Sequence, residues 1–190
     1  KATGYPLAYV ATKLSLRMDL VSIRNSINKT TTACFEPSLD YCVVKMPRWD
    51  LSKFNKVSTH LGSSMTSVGE VMAIGKTFEE AIQKAVRMVS GGVKEGLEGH
   101  LVPGLDLDDM LKKPTDQRLF AVQYALERGY TVDEVNRISN IDRWFLSRLK
   151  IIAEMKAEAM QVGSFNNLPC NALRSMKMSG FSDRQIAKYC

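Results

Sequence analysis

The sequence predicts an α+β protein in which a mixed part of strands and helices precedes an all-α part. The first observation is the apolar run Val68–Ile74, which is short, rich in β-branched residues and bracketed by Gly69 and Gly75, as a buried strand would be. Directly after it the apolar period becomes helical, and Thr77 with Glu80 forms the capping-box pattern of a helix start. Farther along the chain, helix start and stop signals repeat with short connections, which is typical of helical bundles.

Composition bounds the class of protein. The chain has 190 residues, of which 45% are hydrophobic and 24% charged, values typical of a globular protein with a real core. No apolar run approaches the roughly 18 to 20 residues that span a bilayer, and no signal peptide is recognisable. Because the first residue is Lys1 rather than Met, and Cys190 falls within a predicted helix, we expect a fragment of a longer polypeptide.

The cysteines predict neither a metal site nor a disulfide framework. None of the four stands in a CxxC pair, and only two histidines could join them as ligands. We expect Cys34 and Cys42 to be small apolar residues of the core, in a reducing compartment.

The net charge of +6 raises the alternative of a nucleic-acid-binding protein. Residues 1–90 carry 12 Lys and Arg against 7 Asp and Glu, whereas residues 91–190 carry 14 against 13. The segment GFSDRQIAKY, residues 180–189, follows the pattern of a helix-turn-helix recognition unit. It lies in the nearly neutral half, so the charge distribution disfavours this alternative.

The first half contains one helix, a polar connection and a strand before the central run. A turn at Gly4 and Pro6 precedes a helix, and residues 25–34 are polar and rich in turn formers. A strand is predicted within Phe35–Lys45, ending at Met46 and Pro47, and a turn or short helix follows around Leu51 and Phe54. Residues 55–64 are predicted to be loop, with His60 solvated and Trp49 a core anchor. The apolar stripe of the first helix comprises Leu7, Val10, Ala11 and Leu14.

The second half begins after a glycine-rich stretch. The helix that Thr77 caps should end at Gly91 and Gly92, and residues 92–104 are the clearest linker in the chain. Five helices are predicted beyond it. They begin near Pro114, at Thr131, at Asn140 or Asp142, near Pro169 and at Ser182, and the first, third and fourth end at Gly129, Gly163 and Gly180.

Glu70 is the best single candidate for a functional role, because it places a carboxylate within an otherwise apolar strand. A buried charge without a partner is costly, so Glu70 must be hydrogen-bonded or ion-paired. One interpretation is an ion pair with Lys or Arg at a domain interface. The other is a polar group on the wall of an internal passage, where the neighbouring Gly69 lets the backbone approach closely.

Several segments carry a resemblance to a known family. SVGEVMAIGKTFEEAIQKAVRM, residues 67–88, closely resembles the large component of carbamoyl phosphate synthetase, at the end of its first ATP-grasp unit. KATGYPLAYVATKL, FEPSLDYCVVKMPRWDLSKF, PTDQRLFAVQYALERGYTVDEV, NIDRWFLSRLK and GFSDRQIAK are similar to the same family in the same order. The resemblance implies the C-terminal portion of the carboxyphosphate ATP-grasp domain in residues 1–91, a linker in 92–104 and a helical oligomerisation domain in 105–190.

The resemblance also implies a function for the intact protein. It would be an ATP-dependent ligase that makes carbamoyl phosphate from bicarbonate, glutamine-derived ammonia and two ATP, with Mg or Mn, most like the animal pyrimidine-pathway form. The metal and catalytic ligands would lie upstream of Lys1, so this fragment alone would be inactive. Expected partners are a glutamine amidotransferase part, the second ATP-grasp half and further copies, without nucleic acid or membrane. Location would be cytoplasmic, or mitochondrial for the urea-cycle form.

Within this chain the resemblance implies four candidates for a tunnel wall or an interface, namely Arg48, Ser67, Gly69 and Glu70. Three positions depart from the family pattern: Arg17 replaces Gly, Met46 replaces Ile and Thr66 replaces Lys. The alternative interpretation is a helical assembly or nucleic-acid-binding module without catalysis.

Overall fold

The computed structural model describes residues 2–53 and 56–190. It divides the chain into two compact units, Lys1–Asp40 and Tyr41–Cys190. The predicted short helix around Leu51 is present as a 3₁₀ turn, Leu51–Lys53, whereas Phe54 lies outside the described residues. Among the described residues, no helix combines the length and the apolar character needed to cross a bilayer.

The first unit contains the predicted first helix, α1, at Leu7–Ser15. Val10 is its one buried residue, and Ile23 is almost completely buried in the same unit. The polar connection 25–34 has no helix, as predicted, and its turn is held by Asn25, whose side chain accepts hydrogen bonds from the backbone N–H groups of Ile27 and Asn28 at 2.9 and 3.2 Å. Arg17 follows α1 with a left-handed backbone, φ 64°.

The sheet of the second unit has two antiparallel strands, β1 at Cys42–Arg48 and β2 at Gly69–Gly75. The prediction placed β2 to within one residue at each end. Strand β1 lies partly within the predicted segment Phe35–Lys45, but its predicted end was wrong, because β1 continues through Pro47 to Arg48. Among the residues that the structure describes, the sheet consists of these two strands, so both are edge strands, and an edge strand tolerates a proline that cannot donate a hydrogen bond.

Helix α2, Phe78–Ser90, packs on the sheet and buries Ala81, Ile82, Ala85 and Val86. At its start, Thr77 accepts a hydrogen bond from the Glu80 N–H, which is half of the predicted capping box. The carboxylate of Glu80 instead accepts from the Lys76 N–H at 2.7 Å, one residue before the cap. Gly91 ends the helix in the left-handed conformation, as predicted.

Six further helices follow, one more than predicted. The additional one is α3, Leu107–Lys112, whose N-cap Asp106 accepts hydrogen bonds from the backbone N–H groups of Asp108 and Asp109. The predicted helix near Pro114 begins only at Arg118. The rest agree with the sequence, including the capping box of Thr131 with Glu134. The remaining helices are α4 Arg118–Glu127, α5 Val132–Ser139, α6 Arg143–Val162, α7 Cys170–Met178 and α8 Asp183–Tyr189.

Residues 92–104, which we call the strap, have no helix or strand but are packed into the second unit. Leu97 is completely buried in the same hydrophobic core as Ala73 of β2, Val86 of α2 and Leu146 of α6. Arg87 of α2 donates to the carbonyl oxygens of Glu95 and Gly180, so it joins the strap to the turn before α8. One core therefore extends across the predicted linker, and the domain assignment based on that linker stays a prediction.

The cysteine prediction was wrong for the core. Cys34 is exposed, with its sulfur 2.7 Å from the Thr32 hydroxyl, and Cys42 is half-buried at the start of β1. The physical reason is that Cys34 belongs to the polar connection of the first unit, where no apolar surface covers it. All four cysteines are free thiols.

Candidate functional site

The structure brings the four predicted site residues together at the loop end of the β1–β2 hairpin. Arg48 pairs with Gly69 and Pro47 pairs with Glu70 in the strand register. The register continues for one residue beyond β2, because the Val68 N–H donates to the Arg48 carbonyl at 3.0 Å. Ser67 is the next residue along the chain and is half-buried. The candidates therefore lie together at one end of the hairpin, which we call the hairpin patch, with the side chains of Glu70 and Arg48 on opposite faces of the paired strands.

Glu70 is ion-paired, as the sequence requires. Its carboxylate lies 2.7 Å from the Lys45 ammonium, which projects from the neighbouring strand. The side chains are 31% and 53% exposed, so the charge pair lies at the surface of this chain and not in its core. The strand is therefore amphipathic rather than buried on both faces, and the pair contributes little stability where water screens it.

Arg48 belongs to a second group of charges at the same end of the hairpin. Its guanidinium lies 3.5 Å from the Asp50 carboxylate, which also accepts a hydrogen bond from Lys53 at 2.8 Å. That hydrogen bond from Lys53 is the main reason that the pKa of Asp50 is below its usual value. Arg48 is exposed, so its guanidinium can be reached by a ligand or a neighbouring protein surface.

An open groove of about 620 Å³ begins at this patch and runs between β1, α2 and the start of α4. Arg48, Trp49 and Asp50 line one end, and Lys94 lies along the wall. Trp49 is half-buried here, less so than the predicted core anchor. Apolar side chains form most of the remaining lining, among them Val44, Ile82, Val86, Val89, Leu119 and Phe120.

Lys94 is a half-buried cation that lines the groove. Its ammonium lies 3.2 Å from the centre of the Phe120 ring, a cation–π contact. Burial lowers the pKa of Lys94, and the nearby carboxylates of Asp116 and Glu98 only partly offset this effect. A partly desolvated cation beside apolar walls is a feature of binding surfaces as well as of packed interiors.

His60 lies near the same groove through its backbone rather than its ring. It forms an isolated β-bridge with Thr115, and the Leu61 N–H donates to the Pro114 carbonyl at 2.7 Å. The side chain is exposed, in agreement with the predicted solvated histidine. Within residues 2–53 and 56–190, no three His, Cys, Asp or Glu side chains come close enough together to hold a metal ion.

The cations of the possible nucleic-acid-reading helix, α8, each form an ion pair within the chain. Arg184 contacts Glu95 at 2.9 Å, and Lys188 contacts Glu98 at 2.6 Å, so both hold the strap. Lys177, just before α8, contacts Asp183 at 2.8 Å. These carboxylates lower the net positive charge that α8 would offer to phosphate groups.

Sequence reasoning missed an exposed aromatic cluster formed by Phe78, Trp144 and Phe145. The three rings meet edge to face, with centres 5.1 to 5.7 Å apart, where α2 and α6 begin. Trp144 is 50% and Phe145 46% exposed. The signal was present as adjacent Trp and Phe in a helix's first turn, since one face of a helix cannot bury both.

Comparisons with known proteins identify the family. Residues 70–190 match the family model described as "Carbamoyl-phosphate synthetase large chain, oligomerisation domain". Over 190 residues the chain is 53% identical to the multifunctional protein URA2 of Saccharomyces cerevisiae, and over 187 residues 52% identical to the multifunctional protein CAD of Squalus acanthias. It is 51% identical over 189 residues to the mitochondrial arginine-specific carbamoyl phosphate synthase large chain of Schizosaccharomyces pombe.

These matches cover nearly all of this chain but only a small part of each relative. The chain is covered to 100%, 98% and 99%, whereas it spans 8% of the first two relatives and 16% of the third. The family match begins at residue 70, inside β2, well before the predicted start of the helical domain at residue 105.

Proposed function

Since the chain belongs to the carbamoyl-phosphate synthetase large-chain family, we propose that it is part of an ATP-dependent ligase that makes carbamoyl phosphate. The intact protein would use bicarbonate, glutamine-derived ammonia and two ATP, in the first step of pyrimidine synthesis. The observation that carries this proposal is the identity of about half of all positions along the whole chain, not only within the family-matched segment.

The proposal includes a division of labour along the chain. Residues 1–91 would be the C-terminal portion of the carboxyphosphate ATP-grasp domain, and residues 105–190 a helical domain that serves assembly. We assign no catalytic or metal-binding role to any residue of this chain. ATP, with Mg or Mn, would bind to other parts of the protein, where positioning and neutralisation of phosphoryl charge would drive the chemistry.

For the hairpin patch we propose a role as part of the wall that encloses unstable intermediates. The exposed pair of Glu70 with Lys45 and the guanidinium of Arg48 offer polar groups, and Gly69 leaves the backbone uncovered. Ser67 adds a hydroxyl at the same end of the hairpin. Another domain of the protein would cover this patch, which would explain why charged groups project from an otherwise apolar strand.

The experiment uses the full-length polypeptide that contains this chain. Bicarbonate-dependent ATP hydrolysis and carbamoyl phosphate formation are measured side by side for the unsubstituted protein, for Glu70→Gln and Arg48→Ala, and for the control Asp109→Asn. Asp109 forms a surface ion pair with Lys113 at 3.0 Å, away from the hairpin. We expect the two hairpin variants to consume several-fold more ATP per product, because intermediates escape, and the control to remain unchanged.

The outcomes separate the two parts of the proposal. A full-length protein without bicarbonate-dependent ATP hydrolysis would exclude the ligase. Hairpin variants that keep the normal ratio of ATP to product would exclude the wall role and leave the ligase intact.

Two further assignments follow from the same proposal. The partners would be a glutamine amidotransferase part, the second ATP-grasp half and other copies of the protein, with no nucleic acid. The location would be cytoplasmic for a pyrimidine-pathway protein, or mitochondrial for an arginine or urea-cycle form. Similar identity to relatives of both named kinds, 53% and 51%, keeps both branches in the proposal.

A second candidate is an assembly module without catalysis. The description of the matching family model as an oligomerisation domain favours the assembly role, which the ligase also needs. The two differ in the ATP assay, which only the ligase would pass.

A further inference from the structure

An open cavity of about 440 Å³ lies between α6 and α7, and we call it the α6–α7 pocket. Its floor continues the hydrophobic core, because Ala159 and Met176 line it and are almost completely buried. Its walls are apolar side chains that stay partly exposed, namely Ile151, Met155, Val162, Leu168 and Ala172. A concave apolar site of this size between helices is typical of small-molecule binding.

The local sequence explains why this space is open. Gly163 ends α6 in the left-handed conformation, and the chain then makes a 3₁₀ turn at Phe165–Asn167 before α7 begins. Both helices line the pocket with small residues, Ala159 from α6 and Ala172 from α7. Larger side chains at these positions would fill the gap, so the two alanines leave a cavity where a helix pair normally packs closely.

The pocket also has a like-charge pair on its rim. Glu154 and Glu158 line it and are both exposed, and they stand four residues apart on α6, so they lie one above the other on the same face. Like charges at this spacing destabilise a helix. Lys150 lies 3.8 Å from Glu154, beyond hydrogen-bond distance. Within the described part of the chain, no hydrogen bond or ion pair engages the Glu158 carboxylate.

The other side of the pocket supplies no charge to compensate these carboxylates. Asn171 and Ser175 are the polar side chains that α7 contributes to the lining, and neither is ionisable. Lys156 of α6 is paired with Glu127, and Lys177 of α7 with Asp183. The end of α6 and the start of α7 both border the pocket, so their opposite dipoles offset each other. Glu154 and Glu158 therefore decide the sign of its potential.

These features select one class of ligand. An apolar body would cover the exposed parts of Ile151, Val162 and Leu168, and the methionine side chains would adjust to its shape. A protonated amine at one end would reach both rim carboxylates and relieve their mutual repulsion. A ligand with a carboxylate would add a third negative charge, and a neutral ligand would leave the repulsion unchanged.

We propose that the α6–α7 pocket binds a small molecule with an apolar body and a protonated amine, whose ammonium lies between Glu154 and Glu158. The ligand would fill the space between the two helices. This inference goes beyond the ligase and the assembly role proposed above and depends on neither, so its experiment measures binding alone.

The experiment is calorimetric titration of the full-length polypeptide that contains this chain with three probes. The probes are 4-phenylbutylamine, 4-phenylbutan-1-ol and 4-phenylbutyrate, which share an apolar body and differ in charge. We expect the amine to bind about tenfold more tightly than the alcohol, and the carboxylate to bind most weakly. Added salt should weaken the binding of the amine and leave that of the alcohol nearly unchanged.

Substitutions in the pocket locate the binding site. Glu154→Gln and Glu158→Gln should each weaken amine binding by about threefold to tenfold. Asp108→Asn, which removes an exposed carboxylate of α3 outside the pocket, is the matched control and should bind normally. Ala172→Phe fills the pocket without changing its charge and should weaken binding of both the amine and the alcohol. Circular dichroism checks the fold of each variant.

Reversal of the rim charges gives the sharpest test. The double variant Glu154→Lys with Glu158→Lys should prefer 4-phenylbutyrate to 4-phenylbutylamine, a gain that a misfolded protein could not show. A diazirine derivative of the amine, crosslinked by light and mapped by mass spectrometry, should label α6 or α7.

Each contrary result overturns the proposal. No measurable binding of the amine would mean that the pocket takes no ligand of this class. An amine that binds no more tightly than the alcohol would show that the rim carboxylates do not select charge. Equal losses in Glu158→Gln and Asp108→Asn, or crosslinks confined to other segments, would mean that amines only collect on acidic surface elsewhere. None of these outcomes would change the result of the bicarbonate-dependent ATP assay.

Discussion

The strap and the loop at residues 56–68 are both irregular and glycine-containing, yet the strap is packed into the second unit and the loop is mostly exposed. Leu97 of the strap is 0% exposed, whereas Met65 of the loop is 91% exposed. In the strap, Glu95 and Glu98 bind Arg184 and Lys188 of α8, while most side chains of the loop are exposed. Composition alone therefore does not distinguish a packed segment from a free one.

The glycines explain part of this difference in burial, because those of the strap lie against other parts of the chain and Gly62 of the loop does not. A Cβ atom at Gly99 would come within 2.5 Å of the Tyr124 Cα, and one at Gly96 would overlap the Gln185 side chain. A Cβ atom at Gly62 of the loop would meet nothing within 4 Å. The strap uses glycine so that its backbone can lie against helices, whereas Gly62 has open space around it even though the adjacent Leu61 is hydrogen-bonded to Pro114.

The largest expected effect comes from Leu97. Leu97→Ala should lower the free energy of unfolding by about 3 kcal/mol, because it leaves a cavity in a fully packed core. Met65→Ala, the matched change in the loop, should stay within about 0.5 kcal/mol of the parent. Urea unfolding followed by circular dichroism measures both. Equal effects would mean that the strap is not packed in solution.

The second largest effect on the free energy of unfolding distinguishes Gly99 of the strap from Gly62 of the loop. Gly99→Ala should cost about 2 kcal/mol, because the new methyl group collides with the rigid backbone of α4. Gly62→Ala should be neutral or slightly stabilising, since the alanine restricts only the unfolded chain. The same urea titrations give both values. A harmless Gly99→Ala would show that the strap can move away from α4.

Alkaline pH tests the contact between the strap and α8. Burial, with a contribution from Glu98, raises the pKa of Tyr189, whose hydroxyl donates to Glu98 at 3.1 Å. The unfolded phenol loses its proton near pH 10 while the folded one keeps it, so stability falls above pH 10 by about 1.4 kcal/mol per pH unit. Tyr189→Phe should remove this part of the loss. Tyr9→Phe, at an exposed position, should not, and identical pH profiles for all three proteins would contradict the burial of Tyr189.

Local signals explain which parts of the fold the sequence could predict. Helices with a side-chain cap and a terminal glycine, such as α6 between Asp142 and Gly163, were predicted with nearly correct ends. Helix α3 was missed because six residues are too few to show a helical period, although Asp106 is a good cap. The burial of Leu97 was not predictable, because it depends on helices distant in sequence.

The candidate site was also predictable from the sequence only in part. Residue patterns and the family resemblance selected Arg48 and Glu70, and the strand register confirms that they are neighbours. The partner of Glu70 was predicted only as a cation, since the long connection between the strands hides which lysine faces it. The aromatic cluster around Trp144 joins two helices that are far apart in sequence, so only the structure could reveal it.

The substitution with the smallest expected effect on stability is Arg17→Gly, which is the opposite case to Gly62→Ala. The loop has a glycine that its surroundings do not require, whereas Arg17 holds the left-handed backbone that normally favours glycine after a helix, with φ 64°. An L-residue in this conformation is strained by roughly 1 kcal/mol, and glycine regains only part of that because it is more flexible when unfolded. Arg17→Gly should therefore raise the stability of the first unit by about 0.5 to 1 kcal/mol.

Amide hydrogen exchange within α1 measures the stability of the first unit. Leu16→Gly is the control, at a neighbouring position with negative φ. Slower exchange in Arg17→Gly, with faster exchange in Leu16→Gly, would show that the backbone angle and not glycine content decides the outcome. Faster exchange in both would mean that Arg17 stabilises the end of α1 through its side chain.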